Sequence, residues 1–326
     1  MANLGKFRGR SATANTTFAS GVFTLSRHYQ QVKQSLWPFP IFGPIDYLVV
    51  GGGGAGGPGQ NAGGSFLAIT GGGGGGQVQE LLAQYLTGKG EFPVTIGPGG
   101  TAPYASQTSN PGGNSSFNNT TAVGGGVGAI SPSTVQSGSG SYNPPVGIRG
   151  GGSFYLRSNA GFPKVFARNA PNGGSAAYGT TATGATVGAG GGAGGGGSTT
   201  GDYIGGDGIT SVITGLGYGG GGNTSQFSNM PATGYGGTEL RGTKSFFGAG
   251  YFTGPQPNWD EIGPRANSGG GGAGFRGSGF AGQSGAAGTV VIRYPTGALS
   301  ATGGTTSTSG IYTLHTFTTS GIFTVL

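Results

Sequence analysis

Apolar residues come in short bursts along this chain, and most bursts have the two-residue period of a strand. SGVFTL (20–25) alternates apolar and polar positions, and the pattern returns 300 positions later as SGIFTV (320–325). DYLVV (46–50) and TVVIRY (289–294) are near-continuous apolar runs of strand length, and FPVTI (92–96) is a third strand between them. IYTLHTFT (311–318) precedes SGIFTV across Thr319, Ser320 and Gly321, which predicts a C-terminal β-hairpin. One segment alone has a helical period. In SRHYQQVKQSLW (26–37), Tyr29, Val32 and Leu36 share a face, Thr24 or Ser26 caps the start, and Pro38 stops it.

Between the bursts the side chains almost vanish. Glycine makes up 82 of 326 residues, in runs such as 51–59, 71–76, 188–197 and 269–274. The runs are broken by doublets, so the strict third-position glycine of collagen is absent. Disorder is the other reading of such a composition. It is disfavoured by the 13 Tyr, 19 Phe and 2 Trp, since disordered chains are rich in charge and this one is 7% charged. A polyglycine segment cannot make a hydrophobic face. It can adopt an extended threefold helix whose N–H and C=O groups all point outward, and several such rods can bond to one another. Ordering a residue costs about 1–2 kcal/mol, and a net hydrogen bond returns only about 0.5–1.5 kcal/mol, so apolar covering must help. The predicted fold is therefore a bundle of polyglycine II helices over 46–294 with short β-strands and projecting loops. It is flanked by a segment 1–45, with a strand and the helix, and by the hairpin segment 295–326.

Charge changes the picture at one end. Lys6, Arg8, Arg10, Arg27 and Lys33 precede the first acid, Asp46, so 1–45 holds +5 of the net +7. The bases are spread out, which fits a tail docking on an acidic protein partner better than a nucleic-acid or membrane patch. The opening MANLGKFRGR lacks the apolar stretch of a signal peptide, and no apolar run is long enough to cross a bilayer as a helix. The expectation is a soluble product made in a cytoplasm. With no cysteine there is no disulfide or thiolate metal site.

Chemistry is sparse. Matches to GxGxxG are unavoidable here and uninformative, and no GxxxxGK[ST] occurs. GGDGI (205–209) is a lone echo of a calcium-binding repeat that works only in tandem. His28 and His315 lie in unrelated motifs and are expected on a helix surface and a hairpin surface. Asp260 and Glu261 have no partner pattern for acid–base work. The reading is no enzyme, no metal and no cofactor. Binding residues are sought in the glycine-poor intervals, because aromatics and arginine dominate hot spots and loops on scaffolds carry function. The candidates are Arg241, Lys244, Phe246, Phe247, Tyr251, Phe252 and Trp259 in 238–268, with Tyr142, Phe154 and Tyr155 as secondary ones. The same rings could equally cap the rods as local core.

The order YLVVGGGG (47–54), EFPVTIGPGG (91–100), GGNSSF (112–117) and GTVVIRYP (288–295) resembles the glycine-rich domain of bacteriophage virion proteins. The tail TGGTTSTSGIYTLHTFTTSGIFTV (302–325) is similar to the end of many marine phage proteins of this kind. The resemblance implies a virion protein, most often a tail fibre or its tip. Its architecture is similar to that of the tip adhesins of T-even-like phages, where packed polyglycine II helices display loops to a bacterial surface glycan or outer-membrane protein. On that footing 1–45 attaches to other virion proteins through Arg27, Tyr29, Val32, Lys33, Leu36 and Trp37, and the fibre is a homo-oligomer, with a trimer expected. The alternatives are a non-adhesive head fibre, decoration or adaptor protein and, from another class, an ice-binding or matrix protein.

Overall fold

The structure is a computed structural model that describes residues 13–14, 19–20, 41–57, 71–87, 89–102, 109–128, 154–155, 177–180, 186–190, 192–194, 205–223, 247–253, 260–274 and 282–326. Regular structure among these residues is β, with no helix. The helix expected over 26–37 lies outside them.

Ten strands form two five-stranded sheets. They are β1 (Ile41–Val50), β2 (Val78–Thr87), β3 (Gly90–Thr95), β4 (Ser115–Phe117), β5 (Thr120–Ala122), β6 (Thr289–Pro295), β7 (Ala301–Thr302), β8 (Thr305–Ser309), β9 (Tyr312–Phe317) and β10 (Gly321–Val325). The first sheet has the order β8-β9-β6-β1-β2 and the second β7-β10-β3-β4-β5, with every pairing antiparallel. They face each other across one core. Tyr47, Val49, Val290, Ile292, Tyr294 and Phe317 enter it from the first sheet, and Val94, Phe117, Phe323 and Val325 from the second. Phe117 sits at the centre, edge-on to Tyr47 at 5.1 Å and to Phe323 at 6.0 Å between ring centroids. Edge-on geometry puts the positive rim of one ring against the negative face of the next.

The near-continuous apolar runs in β1 and β6 have a physical reason: their sheet is buried on both faces. Leu48, Val50, Val291 and Leu314 point away from the sandwich and pack under Ile213 and Tyr218. Those two belong to a small hairpin, Ile209–Thr210 paired with Gly217–Tyr218. Charged groups pin it down. The Glu80 carboxylate accepts from the N–H groups of Val212 and Ile213 and from the Ser211 hydroxyl. Arg293 donates to the carbonyls of Val212 and Ile213 while its other edge pairs with Asp46 at 2.6 Å.

Two expectations for the C-terminal end are corrected. The strands on either side of 318–320 do not form a hairpin: β9 lies in the first sheet and β10 in the second. Phe317 and Phe323 both point into the core from opposite sheets, so the polar link between them must cross the sandwich edge. The hairpin that does form is β8–β9, through the tight turn at Gly310 (φ 58°). His315 is not on a hairpin surface. It is 1% exposed, stacked on Tyr294 and edge-on to Phe323. Its Nδ1 lies 2.7 Å from the Gly303 carbonyl, which can only accept, so Nδ1 carries the proton. Nε2 is then left to accept from the Tyr294 hydroxyl at 2.9 Å.

The glycine runs continue the strands. β1 passes into 51–57, β3 into 96–100 and β5 into 123–128, while 71–77, 109–114 and 282–288 lead into β2, β4 and β6. Beside them lie 192–194, 205–208, 219–223, 247–250 and 268–274. These segments have no ladder partner of the strand kind. Instead each spreads its hydrogen bonds over several neighbours.

Segment 51–57 shows the rule. Gly51, Gly54 and Gly57 donate to 71–77; Gly52 and Ala55 donate to 109–114; Gly53 and Gly56 donate to 282–288. The bond direction therefore repeats every third residue. Its carbonyls accept from three further segments: from 123–128 at Gly52 and Ala55, from 96–102 at Gly53, and from 268–274 at Gly54. Six neighbours surround it. Segment 282–288 obeys the same period, with Gln283 and Ala286 donating to 268–274 and Gly285 and Gly288 to 96–102. Glycine is needed because the backbones touch. A Cβ on Gly54 would overlap the Gly126 carbonyl, and one on Gly53 the Gly270 carbonyl.

Candidate functional site

The rods run both ways: 71–77, 109–114 and 282–288 lie antiparallel to 51–57, while 123–128 and 268–274 lie parallel to it. Gly51 bonds Gln77 beside the sandwich, and Gly57 bonds Gly71 at the other end. The same test places Ser109, Gly128, Gly190, Gly205, Asn223, Gly274 and Gly282 at that distal end, because their rods pair there with rods already oriented. The intervals 58–70, 103–108 and 275–281 each start and finish at the distal end, and 129–185 and 224–246 start from it. Ile41, where β1 begins, and Leu326, just beyond β10, lie at the outer end of the sandwich, since Val50 and Gly321 are the ends that face the bundle.

Polar side chains finish the rods at the distal end. The Ser109 hydroxyl donates to the Gly56 carbonyl, Asn223 accepts the N–H of Gly205, and Gln283 accepts that of Ala273. All three are buried, and each supplies the backbone partner that the next rod would have given. At the rim Ser284 accepts from the N–H of Ala102, and the Asn110 side chain donates to the Thr101 hydroxyl. A second set works at the sandwich end of the rods: Ser115 accepts from Gly97, Gln77 from Val123, and Ser268 from Gly270. Sequence reasoning singled out none of these. Their signal was a lone Ser, Asn or Gln inside or beside a glycine run.

The candidate binding residues are placed in part. Tyr251 and Phe252 lie in the strand Tyr251–Thr253, which pairs with Asp260–Ile262 and continues the rod 247–250 beyond its distal end. Phe247 is half-buried at the sandwich end of that rod, where its Cβ fills the space beside Gly208 and Gly220. That contact makes it a covering residue of the bundle. Phe154 and Tyr155 form a strand against Thr186–Ala189, three-stranded with Ala177–Thr180. Arg241, Lys244, Phe246, Trp259 and Tyr142 lie outside the described residues, as do Arg27, Tyr29, Val32, Lys33, Leu36 and Trp37. The one described cation of the 238–268 interval, Arg265, lies over the Tyr218 ring at 5.5 Å and donates to the Gly217 carbonyl. GGDGI divides into the rod 205–208 and the strand start Ile209. Among the described residues no three metal-ligating side chains come together. No helix among them is long and apolar enough to cross a membrane.

The described residues therefore form a side-chain core at one end and a bundle of backbone rods at the other, and several long intervals of the chain depart from the distal ends of those rods. The family model of the glycine-rich domain matches residues 31–295, and the chain belongs to that family. No curated protein and no solved structure matches it.

Proposed function

We propose that the chain is a bacteriophage virion protein, a tail fibre or tail-tip adhesin that presents loops to a host-surface glycan or outer-membrane protein from a polyglycine II scaffold. The observation that carries this reading is the rotation of hydrogen bonds around 51–57 with a three-residue period and six neighbours. Three residues per turn is the period of the polyproline II type of helix, of which polyglycine II is the side-chain-free form. Among the described residues such a bundle is main chain packed on main chain. What it supplies is stiffness, and a set of loop ends held at one pole. That arrangement suits recognition by loops, in which fixing the loop ends in advance lowers the cost of ordering on binding. Residues 1–45, entering at the opposite pole through Ile41, attach the protein to other virion proteins.

The test is location and competition. Gold-labelled antibody against the chain should mark the tail tip in electron micrographs, and the purified protein should block adsorption of the phage to its host. Labelling of the capsid, with adsorption unaffected, would sink the adhesin and favour a decoration or adaptor role. An activity confined to the 1–45 segment would leave the loops without a job.

A further inference from the structure

Among the described residues, the first sheet ends at a strand whose outer edge has no strand partner. β8 closes the first sheet on the side away from β2. Its inner edge pairs with β9 along its whole length, from Thr305↔Thr316 to Ser309↔Tyr312, without a shift of register. Its outer edge has no strand partner among the described residues, and all five side chains of TTSTS are exposed. Natural sheets guard such edges with lysine, proline, a bulge or a covering segment, because a row of free N–H and C=O groups recruits other strands. Among the described residues β8 has none of these guards. The other edge of the same sheet is guarded: the β1–β2 register shifts twice, and β2 carries an extra residue between Gln84 and Leu81, with Ala83 at φ 53°. On the flank of the bundle, prolines sit at the exposed rod positions Pro98 and Pro111, which cannot donate outward.

We infer that β8 is a docking strand, and that its occupant is an extended segment of the particle protein on which the chain is mounted. This rests on the virion reading above. The chemistry selects the mode: β8 offers no apolar side chain and no charge, so its backbone is what it has to bind with. Strand addition uses backbone groups alone for affinity. Position selects the partner. β8 runs alongside β9 from the bundle side at Thr305 to the outer end at Ser309, so an added strand lies against the sandwich and leaves the distal loops clear. A second copy paired β8 to β8 about a twofold axis would point the two bundles in opposite directions, and only one could face a cell.

The experiment uses the full chain, supplied in trans to a phage whose own gene is deleted, with its content read in purified particles. Ser307→Lys places a guard on the edge. Ser307→Pro and Thr308→Pro are made as a pair, because successive residues of an antiparallel strand turn their N–H to opposite sides. One of the two keeps the β9 pairing and the wild-type melting temperature. In Ser307→Lys and in that proline variant, incorporation is expected to fall about tenfold or more, the equivalent of one to two net hydrogen bonds. Incorporation of both at the wild-type level overturns the docking strand while the virion reading survives. Absence of the wild-type chain from particles overturns the virion reading, and the docking strand with it. A solution dimer that Ser307→Lys dissociates also overturns the inference, by assigning the edge to a second copy.

Discussion

The sandwich and the glycine bundle are both closely packed, yet they fill space with different material. In the sandwich the backbones stand apart and Tyr47, Phe117, Phe323 and Ile292 occupy the gap. In the bundle the backbones are themselves the filling, and Gly51 to Gly54 are as buried as any core leucine. The sandwich gains from apolar area removed from water, and its polar groups are satisfied within flat ladders. The bundle gains from hydrogen bonds and backbone contacts in three directions around each rod. It tolerates no side chain where rods touch. The comparison teaches that a core side chain has a few neighbours that can yield, whereas a rod glycine faces another main chain that cannot.

The sharpest way to break that contrast is to put a branched side chain into the central rod. Gly54→Val should prevent folding, a cost above about 5 kcal/mol, larger than core overpacking usually brings because no side chain can repack around it. Its control is Gly263→Ala, where a Cβ meets nothing within 4 Å and the melting temperature should hold or rise slightly. If Gly54→Val folds with a near-native melting point, the rods are not in contact and the scaffold argument fails.

Next in size is Phe323→Ala, expected to cost about 3–5 kcal/mol in the fully buried aromatic cluster. Because six strands run straight into rods, sandwich and bundle should melt in one calorimetric transition. Two separate transitions would show that the regions are independent, and the variant would then shift only one of them. Arg293→Leu should cost about 2 kcal/mol, since it strands the mostly buried Asp46 carboxylate and releases the carbonyls at Val212 and Ile213. Hydrogen exchange should report the loss in the 209–218 hairpin first.

The smallest effect sits at the buried polar pair. Burial pushes the Tyr294 phenol above its ordinary value. A group whose folded value is raised gives its stability in full below the unfolded value, and loses it as pH climbs through the folded one. The wild-type chain should therefore lose stability above about pH 10. Tyr294→Phe should remove that part of the alkaline loss, at a cost near neutrality of about 1 kcal/mol for the bond to His315. Identical alkaline melting curves for the two would refute the assignment.

Much of the fold was legible before any coordinates. The apolar runs at 46–50 and 289–294 are strands, and glycine does permit backbone contact, whereas the pairing of those two strands with each other is seen only in the structure. The failures have a common cause. Thr319, Ser320 and Gly321 read as a hairpin turn because a turn and a crossing between sheets use the same small polar residues. His315 was placed on a surface because its strand alternates imperfectly, with Leu314 and His315 buried toward opposite faces. Ser109, Asn223 and Gln283 went unnoticed because a buried backbone cap looks, in sequence, like any polar residue in a loop.

What the sequence determined by itself is composition and local geometry: where side chains are absent, where strands have two buried faces, and that the molecule must be built on main-chain hydrogen bonds. Only the tertiary structure decided the neighbours. A glycine carries no mark of its partner, and 51–57 would bond equally well to any other rod of its kind. Five of the six around it continue β2 to β6, and the packing of those strands in the sandwich sets the lateral order in which they enter the bundle.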